Sequence, residues 1–151
     1  MKKVSITLLL TLLISSCSEQ KGNLKNTKSK TTPKIMGTWK LVYGSVKEND
    51  SLTIKDVSKA EFVKIINETH FAYFNQSYNE PINFYGAGGT YTLENNTYTE
   101  KLTYTAWEDY RDRSFPFTVK ISKDSLIQYG VEEVKEKNIK RYVEEKYIRI
   151  K

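Results

Sequence analysis

Apolar positions along the chain follow two regimes. Val4–Ile14 (VSITLLLTLLI) is an apolar run of eleven residues broken only by Ser and Thr. From Ile35 onward, short runs rich in Val, Ile, Thr, Tyr and Phe alternate with clusters of Asn, Asp, Gly and Lys. Runs of that kind, bounded by turn-forming residues, predict strands rather than helices. The pattern places them at 38–46, 61–67, 70–76, 88–94, 97–105, 115–122, 125–130 and 140–150. Asn67-Glu68-Thr69, Asn95-Asn96 and Lys123-Asp124 read as tight hairpin turns, because Asn and Asp tolerate left-handed backbone angles. Gly86, Gly88 and Gly89 mark a bend or bulge at the start of the fourth run. Longer connections fall at 47–60, 77–87, 106–114 and 131–139. Glu132–Lys137 carries too few apolar residues for a packed helical face and reads as a solvated loop.

Eight short strands joined largely by hairpins predict an all-β domain built as an eight-stranded antiparallel up-and-down barrel. Closing the sheet removes exposed edges, and eight strands enclose room for side chains or one small ligand. A β-sandwich is the alternative, and the short hairpins argue against its long crossovers.

The leading run is too short to span a bilayer, which needs roughly 20 apolar residues. With Met1-Lys2-Lys3 before it, it fits a signal sequence. Its end, Ile14-Ser15-Ser16-Cys17, resembles the bacterial lipobox. That resemblance implies cleavage before Cys17 and lipidation of its thiol; several acyl chains on one residue anchor stably where one would not. The sole Cys of the chain falls at the one place the lipobox requires it. Ser18–Lys34 holds a single aliphatic residue, Leu24, and reads as a disordered tether. The expected division is therefore a signal peptide at 1–16, a lipidated Cys and flexible tether at 17–34, and a barrel domain at 35–151. It places the protein in the cell envelope, anchored to a membrane through Cys17, with the outer membrane expected and its face left open by the lone Glu19.

Charge follows the same division. The formal net charge is +6, which would suggest a nucleic-acid partner. Lys2, Lys3 and the five lysines of 17–34 account for the excess, however, and residues 35–151 hold 17 basic and 17 acidic side chains. A nucleic-acid-binding body is not expected. One Cys excludes an intrachain disulfide, and one His excludes a multi-histidine metal site.

Gly37-Thr38-Trp39 resembles the Gly-x-Trp signature of lipocalins, in which the Trp packs across the closed end of the barrel and an Arg from the last strand stacks on it. Arg149 is the matching residue here. Thr69–Phe74 (THFAYF), Gly88–Glu94 (GGTYTLE) and Thr97–Glu100 (TYTE) are similar to a lipocalin-like (calycin) family of Bacteroidota envelope lipoproteins of unknown function. The resemblance spans about residues 35–151 and implies a barrel carrying a small amphiphilic or hydrophobic ligand. The domain is shorter than a typical lipocalin and shows no C-terminal helix, which argues against a roomy interior. Asp50-Ser51-Leu52 and Asp124-Ser125-Leu126 resemble the O-glycosylation signal of the same phylum, and they are also ordinary turn chemistry.

Strand alternation groups Trp39 with Leu41 and Tyr43, Phe71 with Tyr73, and Tyr91 with Leu93. It also groups Tyr98 with Glu100, Leu102 and Tyr104, Phe115 with Phe117, and Glu145 with Tyr147 and Arg149. The ligand-binding candidates are Tyr43, Tyr73, Tyr91, Tyr98, Glu100, Tyr104, Phe117 and Tyr147. Tyr suits an amphiphilic guest, joining an apolar ring to a hydroxyl, and it is also simply a good strand former. Glu100, an acid among apolar neighbours, must be paired if it faces inward. Tyr hydroxyls and Arg149 are the expected partners, in either a ligand-recognising or a purely structural network. Arg111 and Arg113 would flank the mouth, with Glu108, Asp109 and Asp112 neutralising them.

Catalytic signatures are absent. No Ser lies in a Gly-x-Ser-x-Gly setting, there is no P-loop, and His70 is the only imidazole. Neither an enzyme nor a cofactor is expected, and a hydrolase using paired acids inside the barrel is the third reading, behind binding and docking. The rival function is a structural lipoprotein whose filled barrel docks an envelope partner.

Overall fold

A computed structural model describes Lys34–Ile150. The apolar leader, Cys17 and the tether as far as Pro33 lie outside the described residues. Nine strands follow in order: β1 Gly37–Glu48, β2 Ser51–Ile54, β3 Ala60–Ile66, β4 His70–Ser77, β5 Phe84–Glu94, β6 Thr97–Thr105, β7 Ser114–Ser122, β8 Ser125–Val134 and β9 Ile139–Ile150. Each pairs antiparallel with its neighbour in the order β1-β3-β4-β5-β6-β7-β8-β9, and β1 pairs with β9 from Thr38↔Ile150 to Glu48↔Arg141. That last pairing closes an eight-stranded barrel. The three expected hairpins are the β3–β4, β5–β6 and β7–β8 turns, with Asn95 and Lys123 at φ near +50°.

Three expectations about connections are corrected. The stretch 47–60 contains β2, which pairs with the outer half of β1 (Ser45↔Ile54) while β3 pairs with its inner half (Gly37↔Ile66). All four β2 side chains are exposed, so no apolar alternation marked it. Glu132–Lys137 is not a loop throughout: β8 runs on to Val134, because Glu132 pairs across the sheet with Arg141, and only Lys135–Lys137 forms a 3-10 turn. β5 begins at Phe84, four residues before the expected start.

The hairpin turns gather at the end of the barrel where β1 begins, and Trp39 fills that end, wholly excluded from solvent. Its indole N–H donates to the Ile35 carbonyl at 2.8 Å. The Arg149 guanidinium lies 4.1 Å from the ring centroid of Trp39 and donates to the carbonyls of Met36 (2.6 Å) and Lys34 (2.8 Å). Gly37 makes this approach possible. Its φ is +141°, and a Cβ there would lie 2.1 Å from Arg149 Nη1, so any other residue would be both strained and in collision. Arg149 thus staples the incoming chain across the closed end. It is not a partner of Glu100, as the alternation had suggested.

Two bulges shift which side chains face inward. β1 slips register against β9 between Leu41 and Tyr43. An extra residue in one strand reverses the facing of everything after it, so the inward set continues Trp39, Leu41, Gly44, Val46. Tyr43 is turned outward, beside the Lys146 ammonium at 4.6 Å. β6 slips likewise, with Gly88↔Tyr104 following Gly89↔Leu102, and Tyr104 ends 66% exposed. The expectation that Tyr43 and Tyr104 face the interior is therefore corrected. Tyr91 is half-buried near the closed end, its ring 5.1 Å from Tyr98 and its hydroxyl donating to the Asn67 carbonyl at 2.7 Å.

Candidate functional site

Above the Trp39 layer the interior is not filled. A cavity of about 430 Å³ occupies the half of the barrel toward the β1–β2, β4–β5, β6–β7 and β8–β9 connections. Inward positions at this level alternate between rings and ionic groups, and this double character defines the site.

The floor is built from one residue on each of four strands. Lys64 of β3 stands beside Trp39 in register, and its ammonium donates to Glu100 Oε1 at 2.8 Å and to Gln128 Oε1 at 3.0 Å. The Lys64 and Glu100 side chains are only 2% and 6% exposed. Gln128 of β8 sits opposite Glu145 of β9. Glu145 in turn accepts from Lys55 Nζ at 2.8 Å and from the Tyr147 hydroxyl at 2.5 Å. Burial opposes ionisation of Glu145, but the Lys55 and Lys64 charges and these two hydrogen bonds outweigh it, holding its pKa down at about 2. For Tyr147, burial and then the Glu145 charge push the phenol pKa well up, so it stays protonated and donating. Tyr98 lies below Glu100 on the same face of β6. Its hydroxyl is buried without a hydrogen-bond partner among the described residues, and burial together with the Glu100 charge drives its pKa up.

Lys55 reaches this floor by an unusual route. It follows β2 and donates its backbone N–H to the Gly44 carbonyl at 2.8 Å. Its side chain then crosses directly over Gly44, where a Cβ would stand 2.8 Å from Lys55 Cδ. Glycine at 44 opens the passage, and the ammonium ends 4.8 Å from the Phe62 ring centroid, over its face. Burial lowers the pKa of Lys55, and Glu145 more than restores it, leaving a net rise.

The walls and mouth are aromatic. Phe62 and Tyr73 stack at 5.1 Å, Tyr85 meets Trp107 edge-on at 5.3 Å, and Tyr110 packs on Phe115 at 5.7 Å. Phe117 completes the wall. At the rim Arg141 pairs with Glu132 at 2.5 Å and covers the Tyr110 ring at 4.9 Å. Burial raises the pKa of Glu132, and Arg141 only partly offsets it. The Asp109–Lys137 (2.8 Å) and Arg113–Glu136 (3.3 Å) pairs tie the β6–β7 and β8–β9 connections together, so Arg113 is neutralised by the opposite connection rather than by its own. Arg111 donates to the Thr105 carbonyl at 3.2 Å.

Of the candidates named from sequence, the cavity wall includes Tyr73, Glu100 and Phe117. Tyr98 and Tyr147 lie in the packed layer beneath, and Tyr43, Tyr91 and Tyr104 lie elsewhere. Lys64, Gln128, Lys55 and Glu145 were not singled out. A signal existed: Lys64 is flanked two residues away on either side by Phe62 and Ile66, Gln128 by Leu126 and Gly130, and Glu145 by Val143 and Tyr147, all facing inward. A polar residue between inward neighbours on its own face is a buried polar residue. His70 is exposed, 2.7 Å from the Thr69 hydroxyl. Among the described residues, no three His, Cys, Asp or Glu side chains gather as metal ligands.

No family model matches this chain, and no curated protein matches it in sequence.

Proposed function

We propose that this protein is a membrane-anchored envelope lipoprotein whose lipocalin-like barrel binds a small amphiphilic or hydrophobic ligand. The observation that carries the binding reading is the cavity of about 430 Å³, ringed by Phe62, Tyr73, Tyr85, Trp107 and Phe117, above a floor whose charges are paired. Ligand pockets of small molecules typically occupy about 300–1,000 Å³ and combine apolar walls with a few fixed polar groups. The lipocalin-like reading is supported by Trp39 beneath Arg149 at the closed end. The anchor reading rests on Ile14-Ser15-Ser16-Cys17. No catalytic role is proposed, since the ionic groups of the site neutralise one another in pairs and none stands poised against a nucleophile.

A docking function draws on a different observation. Leu52, Ile54, Ile82 and Phe84 are each at least 59% exposed, on β2 and around the β4–β5 connection. Exposed apolar side chains favour a contact surface. That surface is compatible with an occupied barrel, whereas the filled barrel of the rival reading does not describe this interior.

Native mass spectrometry of the protein purified from its own cells tests the binding reading. A small molecule travelling with the folded domain and lost on denaturation is the expected result. Protein released at its bare mass under conditions that preserve known weak complexes contradicts it.

A further inference from the structure

Resting on the reading of the barrel as a binding site, we infer that its guest is electrically neutral and presents a hydrogen-bond acceptor, such as a ketone or amide carbonyl, to the Gln128 amide at the floor.

Charge bookkeeping within the cavity carries the first half. Its lining contains three cations, Lys55, Lys64 and Arg141, and three carboxylates, Glu100, Glu132 and Glu145. They pair one to one: Lys64 with Glu100, Lys55 with Glu145, Arg141 with Glu132. An anionic or cationic guest would therefore find no unmatched countercharge. It would either lie unpaired in a low-dielectric interior or break a buried pair, and both are strongly unfavourable. A cation would also look for ring faces. Lys55 already stands over Phe62, Arg141 over Tyr110, and Lys64 5.4 Å from the Tyr147 centroid. The aromatic surface facing those positions already serves the chain's own cations.

Gln128 carries the second half. An ammonium group has donors only, so the Lys64 contact requires the Gln128 side-chain oxygen to face Lys64. Its amide nitrogen must then point the other way. Gln128 is 1% exposed and lines the cavity, and the hydrogen bond its side chain makes among the described residues is through its oxygen, to Lys64. An amide donor that opens onto an apolar-walled cavity is a fixed recognition point for an acceptor. The Phe62–Tyr73 stack on one side and Phe117 on the other favour a flat body attached to that acceptor.

Four probes sharing a naphthalene body separate the possibilities by isothermal titration at neutral pH: 2-acetonaphthone (neutral acceptor), 2-ethylnaphthalene (no acceptor), 2-naphthoate (anion) and 2-naphthylmethylammonium (cation). The expected order places acetonaphthone first, about fivefold or more tighter than ethylnaphthalene and about tenfold or more tighter than either ion. Gln128→Glu keeps an oxygen for Lys64 while removing the amide donor, and it should bring the ketone-to-hydrocarbon ratio down toward one. Equal or tighter binding of either ion overturns the neutrality inference while leaving the binding site standing. Equal binding of ketone and hydrocarbon by the unaltered protein overturns the role of Gln128. Failure of all four to bind overturns the binding reading and this inference together.

Discussion

The Lys64 ammonium rests 2.8 Å from the Glu100 carboxylate inside a β-barrel, with water all but excluded from both. Neither charge can be removed alone without stranding the other. Truncating one partner of a buried pair typically costs about 3–5 kcal/mol, whereas replacing both with apolar groups is often near neutral. Lys64→Met and Glu100→Leu should each destabilise the domain by about that amount, and the double variant should recover much of the loss. Urea denaturation of the three variants measures this. Additive losses in the double variant would mean the pair is not coupled.

Glu145 gives the fold a defined acid limit. Its folded pKa of about 2 lies below the ordinary 4.5, so the unfolded chain binds a proton more readily than the folded one. The resulting stabilisation is fully present above pH 4.5 and is lost as pH falls toward 2. Glu132 acts in the opposite sense: its raised folded pKa favours the folded state as it takes up a proton. Lys55→Met should raise the pKa of Glu145 and move the loss of stability to higher pH. Thermal midpoints recorded from pH 7 down to 2 should show this shift, and an unchanged acid limb would contradict the role of Lys55.

At the closed end, Arg149→Ala removes a cation from the Trp39 face and two charged hydrogen bonds to Met36 and Lys34. A loss of about 2–4 kcal/mol is expected. Trp39 emission should move to longer wavelength as water reaches the ring. Stability within about 0.5 kcal/mol of the unaltered protein would show that the staple is incidental.

Much of this architecture was legible in the chain because strand alternation and turn chemistry are local. The Asn95-Asn96 and Lys123-Asp124 turns, and the apolar alternation of Phe115, Phe117 and Val119, require no knowledge of tertiary contacts. Tyr43 and Tyr104 were misplaced for a physical reason: a bulge inserts a single residue and reverses facing downstream, and neither Val42 nor Thr103 advertises one. β2 escaped because an all-exposed strand of four residues has no buried face to write into its sequence. The pairing of Glu100 with Lys64, and not with Arg149, is a fact of register between strands 36 residues apart, which alternation within one strand cannot contain.

Cys17 carries the proposed anchor. Protein made in its own host should partition with membranes and carry a diacylglycerol mass on the residue that follows Ser16, whereas Cys17→Ser should remain unlipidated. Peptide mass spectrometry reads both. A free Cys17 thiol in protein taken from membranes would contradict the anchor.

A guest of this barrel would sit between the rings and the ionic floor. A crystal structure of the protein soaked with 2-acetonaphthone tests this placement most directly. The naphthalene should lie between the Phe62–Tyr73 stack and Phe117, with its carbonyl oxygen within hydrogen-bond distance of the Gln128 amide. A ligand found only on the outer surface, beside Tyr104 for example, with the interior unchanged, would contradict it.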